Sequence, residues 1–104
     1  MLEVEISVPL AADLSTMEAV VEAACAAEGL RLTLKDTLAK YPGCVHWHFQ
    51  KGPQRGTLEI TWWAKRRRLW FKVAVGRRGE WMEATIPRLE SMLKKRRPTG
   101  RSNQ

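Results

Sequence analysis

CVHWHFQKGPQRGTLEITWWA, residues 44–64, is the stretch whose reading decides the fold. In its first half Val45, Trp47 and Phe49 alternate with Cys44, His46 and His48. In its second half Leu58, Ile60 and Trp62 alternate with Thr57, Glu59, Thr61 and Trp63. A period of two means a strand with one face buried and the other not. Gly52-Pro53-Gln54-Arg55 between the halves is turn chemistry and leaves no room for a crossover, so the pair reads as an antiparallel hairpin. A one-residue slip would turn every apolar side chain outward, so only registers of matching parity survive. Placing Phe49 opposite Leu58 meets that condition. Trp47 then meets Ile60, and Val45 meets Trp62, all facing inward. On the outer face His48 meets Glu59, His46 meets Thr61, and Cys44 meets Trp63.

Toward the C-terminus, KRRR (65–68) leads into a further strand over 69–75. The same parity argument puts Trp62 opposite Phe71, Ile60 opposite Val73 and Leu58 opposite Val75. Trp63 then faces Trp70, Thr61 faces Lys72 and Glu59 faces Ala74 on the outside. Gly76-Arg77-Arg78-Gly79 turns the chain into a helix over 80–96, with Met82, Ile86, Leu89 and Leu93 as its apolar stripe. Pro87 inside that helix removes a donor and crowds the preceding turn, so a kink is expected there, or a break recapped by Thr85. Residues 97–104, RPTGRSNQ, offer nothing apolar to anchor them and read as a flexible basic tail.

Toward the N-terminus, Leu2, Val4, Ile6 and Val8 alternate with Glu3, Glu5 and Ser7 in a strand that Pro9 ends. Ser15-Thr16-Met17-Glu18 fits a capping box, and the helix it opens runs to Glu28 with Gly29 as its stop. Its apolar face is Leu14, Met17, Val21 and Ala24, with Cys25 beside them. Leu30, Leu32 and Leu34 alternate with Arg31, Thr33 and Lys35 in another strand, which suggests a strand–helix–strand unit. Tyr41-Pro42-Gly43 reads as a turn. The element order is β-α-β-β-β-β-α. The fold class is α+β, one domain over residues 1–96, with a largely antiparallel sheet and both helices on one face.

The chain has 104 residues, of which 44% are hydrophobic, enough for one core. No run reaches the roughly 20 apolar residues of a membrane span. The N-terminus carries acids where an export signal would carry bases. These points lead to an expectation of a cytoplasmic protein with Cys25 and Cys44 reduced. Charge is asymmetric: residues 1–29 carry −6, and residues 30–104 carry +13. Such a split suggests a polyanionic partner, although the acidic third can also neutralise its basic neighbour within the fold.

With both helices on the inner face, the outer face is expected to be open. It carries Cys44, His46, His48, Thr57, Glu59, Thr61, Trp63, Trp70 and Lys72, joined by Arg31 and Lys35. Aromatics on an open sheet can stack bases, and flanking cations can hold phosphates. The leading expectation is therefore a non-catalytic nucleic-acid-binding protein, with Trp63 and Trp70 stacking and Arg66, Arg67, Arg68, Lys72 and Arg31 neutralising phosphates. Lys94, Lys95, Arg96, Arg97 and Arg101 add a basic end. The alternative is a homodimeric interaction domain that hides the same tryptophans in a two-fold contact. A third reading is a zinc or other divalent-metal site on His46 and His48, with Cys44 and Glu59 as further ligands. No motif names a reaction or a small-molecule substrate, and no glycine-rich phosphate loop is present.

Overall fold

The computed structural model describes residues 2–8 and 13–94. Its elements are β1 (Leu2–Ile6), α1 (Met17–Ala27), β2 (Arg31–Asp36), β3 (Val45–Gln50), β4 (Leu58–Trp63), β5 (Arg68–Val73) and α2 (Trp81–Lys94). The strands form one open antiparallel sheet in the order β1-β5-β4-β3-β2. The strand–helix–strand unit is present, but its two strands lie at opposite edges of the sheet. The element order, the α+β class and the single domain are as expected. Among the described residues no helix is long and apolar enough to cross a membrane. The tail, with Lys95, Arg96, Arg97 and Arg101, lies outside the described residues.

The core lies between the sheet and the helices. Trp47, Phe49, Leu58, Ile60, Trp62, Leu69, Phe71 and Val73 meet Met17, Val21 and Cys25 of α1 and Met82, Ile86, Leu89 and Leu93 of α2. Burial pushes the Cys25 thiol up to about 12, so it behaves as a small apolar group. Gly29 ends α1 at φ +76°, and the Leu30 N–H reaches back to the Cys25 carbonyl at 3.0 Å. The N-terminal cap differs from the expected Ser15 box. Asp13 accepts from the Ser15 N–H and hydroxyl, and a short 3₁₀ turn over Leu14–Thr16 precedes α1. α2 passes through Pro87 as one helix. The carbonyl that Pro87 leaves without a helical donor belongs to Glu83. Both residues lie on the exposed side, where water can serve it.

Two further expectations are corrected. The β4–β5 register is shifted by two residues from the one deduced. Trp62 lies opposite Leu69, Ile60 opposite Phe71, Thr61 opposite Trp70, Glu59 opposite Lys72 and Trp63 opposite Arg68. The connection closes early because Ala64–Arg66 makes a 3₁₀ turn, the Arg67 N–H bonds Ala64, and Arg67 reverses the chain at φ +53°. Parity is preserved, so each side chain keeps its face. In β2 a bulge between Leu32 and Leu34 swaps the faces of the last residues. Lys35 therefore sits opposite Trp47 on the helix side, bonded to Glu18 and Glu22 of α1, and Leu34 turns to the outer face opposite His48. Two carboxylates for Lys35 favour this swap, and Glu22 is held ionised, below its usual range, by Lys35 and by the Trp47 indole N–H.

Candidate functional site

The β3–β4 register is the one the alternation implies: His48 opposite Glu59, His46 opposite Thr61, Trp47 opposite Ile60. Because Trp47, Ile60 and their neighbours are driven inward, His46, His48, Glu59 and Thr61 are driven onto the outer face. His46 and His48 are successive residues on that face, and their rings meet nitrogen to nitrogen. The two Nε2 atoms are 3.1 Å apart, while the ring centroids are 5.0 Å apart. Glu59 Oε1 lies 3.5 Å from His46 Nε2 and 3.9 Å from His48 Nε2. Those two separations are too long for good hydrogen bonds. Without an ion, the 3.1 Å contact lets one ring nitrogen donate to the other, while the Glu59 oxygen stands off from both.

The surroundings of His46 set its protonation. Its Nδ1 is 2.8 Å from Thr61 Oγ1, a partner buried with it. We assign the proton to Nδ1, donated to the hydroxyl, which leaves the Nε2 lone pair aimed at His48 and Glu59. His46 is 5% exposed. Burial holds its imidazole below its ordinary range, helped by the His48 and Lys72 charges, while Glu59 and Asp36 pull the other way. The ring is therefore neutral at neutral pH, as metal ligation requires.

Cys44 does not join this group. It is buried, and its Sγ accepts from the Leu38 N–H at 3.4 Å. The residues 37–44 that it anchors fold onto the outer face, and this covers what was expected to be open. Tyr41 sets its ring edge-to-face against both Trp63 and Trp70, at centroid distances of 5.1 and 5.0 Å. The Trp63 indole N–H donates to the Pro42 carbonyl at 3.0 Å. Trp70 is 4% exposed, so it presents no free ring for stacking, and the exposed tryptophan pair is not formed.

The cations expected to hold phosphates are scattered in role. Arg68 makes a two-pronged pair with Glu5, at 2.9 and 3.0 Å, and lies over Trp70. That pairing lowers the Glu5 carboxyl below its usual range. Arg66 is exposed and sits over Trp63, and Lys40 sits over Tyr41. Arg67 is half-buried in the turn. Lys72 flanks Glu59 from β5, and Arg31 bonds Gln50 on the far side of His48. Glu18, Glu22 and Glu28 are engaged by Lys35 and Arg88, so the acidic third neutralises part of the basic remainder.

Sequence reasoning placed His46, His48, Glu59 and Thr61 on one face but gave Thr61 no role. It read Tyr41 only as a turn residue and missed its ring contacts. The one available signal was the chain's single tyrosine inside a Pro-Gly turn, an aromatic ring with no evident reason to be in solvent. No family model, curated protein or solved structure matches this chain.

Proposed function

We propose that the protein binds a divalent transition-metal ion, of which zinc is the type, through His46 Nε2, His48 Nε2 and Glu59 Oε1. One observation carries this reading. The point equidistant from three atoms separated by 3.1, 3.5 and 3.9 Å lies about 2 Å from each, the length of a zinc–nitrogen or zinc–oxygen bond. The donor set of two imidazoles and a carboxylate suits zinc, and the His46–Thr61 bond is the outer support such a ligand needs. The ring-to-ring hydrogen bond accounts for the His46 lone pair turned toward His48, but a plain cross-strand His48–Glu59 pair would not hold the carboxylate at 3.5 and 3.9 Å from the two rings.

The test is calorimetric titration of chelator-treated protein with zinc. One ion per chain is expected. His46→Ala, His48→Ala and Glu59→Gln should each weaken binding by more than the roughly 10–100-fold that losing an outer partner costs. Binding unchanged in all three variants, or no binding in the parent, would refute the assignment.

A second reading is favoured by a separate observation. Lys40, Lys65 and Arg66 are exposed around the half-buried Tyr41 and Trp63. That corner suits single-stranded nucleic acid better than the expected Trp63/Trp70 platform does. Quenching of tryptophan fluorescence by a short oligonucleotide should weaken steeply with salt and be lost in Arg66→Glu. Salt-independent quenching, or none, would remove this reading and leave the metal site untouched.

A further inference from the structure

Resting on the metal reading, we infer that the ion held by His46, His48 and Glu59 keeps one coordination position open to solvent, and that this position takes a phosphate-type oxyanion. Zinc sites that serve only structure close with four protein ligands, whereas sites that handle a substrate keep three and leave the fourth to water or substrate. Among the described residues, His46, His48 and Glu59 are the only such group whose ligand atoms converge. Three other donors of this face each have a partner of their own. Cys44 Sγ accepts from Leu38, and the Thr61 hydroxyl is occupied by His46 Nδ1. The Asp36 carboxylate accepts from the Thr37 N–H at 2.7 Å.

Exposure gives the direction of approach. The side chain of His46 is 7% exposed, that of His48 21% and that of Glu59 14%. Solvent therefore reaches the site over His48 and Glu59, with His46 at its floor. Charge then selects the visitor. A divalent ion with two neutral imidazoles and one carboxylate retains a net charge of about +1. Lys72 stands opposite Glu59 on β5 and adds a second positive charge. Three further acids share this face: Asp36 opposite His46, Glu3 at the sheet edge opposite Lys72, and Glu5 opposite Trp70, which Arg68 neutralises. Asp36 lies on the β2 side and Glu3 beyond Lys72, so the positive approach runs above Glu59 and Lys72. An oxyanion there would give one oxygen to the metal and another to the Lys72 ammonium, which binds phosphate as a point charge.

The experiment uses the full chain loaded with Co²⁺, whose visible absorption reports its ligands, titrated with inorganic phosphate. A saturable change in the cobalt bands is expected. Lys72→Met, which keeps the aliphatic stem, should weaken that response by about tenfold while Co²⁺ affinity does not fall, since a neighbouring positive charge is removed. A Co²⁺ spectrum indifferent to phosphate would overturn the inference while leaving the metal site standing. So would a phosphate response that appears only in Asp36→Asn, because Asp36 would then be the fourth ligand of the native protein. Absence of any cobalt bands would overturn the metal reading and this inference together.

Discussion

The outer face of the sheet holds two neighbouring clusters that differ in how completely they satisfy themselves. In one, Tyr41, Trp63 and Trp70 pack edge to face, their outer surfaces are taken by Lys40, Arg66 and Arg68, and the Trp63 N–H has its carbonyl. In the other, two ring nitrogens and a carboxylate oxygen lie close enough together to hold one ion. Both sit on strands β3 to β5, within two same-face positions of each other. The aromatic cluster is closed by a loop that folds back on it. The polar cluster lies on strand residues alone, and among the described residues His48 and Glu59 keep part of their side chains exposed. The difference is that the aromatic rings satisfy one another within the fold, whereas the polar group gathers three ligand-type atoms on one sheet face.

Four measurements break or sharpen this contrast. The largest effect is expected from Trp70→Ala, which should cost about 3–5 kcal/mol of stability in denaturant unfolding by leaving a cavity under Tyr41. Zinc affinity of the folded variant should barely move. A matched loss of both would mean that the two clusters are one unit. The next largest is His48→Ala, expected to abolish measurable zinc binding with at most a small loss of stability in the metal-free protein, since His48 is partly exposed. Thr61→Val follows. It keeps the shape but removes the acceptor for His46 Nδ1, and zinc affinity should drop roughly 10–100-fold with stoichiometry unchanged.

The smallest effect is on pH. Burial lowers the folded pKa of His46 below its ordinary 6.5, so the unfolded chain takes up a proton more readily than the folded one. The stability from this group is complete above pH 6.5 and is lost as pH falls below that value through the folded pKa. Unfolding curves of metal-free protein between pH 7.5 and 5, set roughly around that ordinary value, should show the decline, and His46→Gln should flatten it. An equal slope in the variant would assign the decline to other groups. With zinc bound the decline should be steeper, because protons compete with the ion for the same nitrogens.

How far the fold was legible follows from which errors side-chain faces can detect. The parity of β3 against β4 was readable because an odd slip would expose Trp47 and Ile60, so His48 and Glu59 had to share a face. The shift of β5 by two residues was not readable, because an even slip leaves every face unchanged. The turn chose it, through a left-handed Arg67 that no glycine announced. Lys35 was misplaced because a bulge costs little at an edge strand, and Glu18 and Glu22 on α1 reward it. Tyr41 was invisible because its partners lie 22 and 29 positions away along the chain.

Local pattern alone therefore determined the strands and helices, the antiparallel α+β plan, and which residues would share the outer face, since period and turn chemistry act over a few residues. Only tertiary structure decided that the tryptophans would be covered and that His46, His48 and Glu59 would turn their donor atoms toward one point. Those outcomes depend on rotamers and loop paths. Burial and hydrogen bonding select them only once the strands stand side by side.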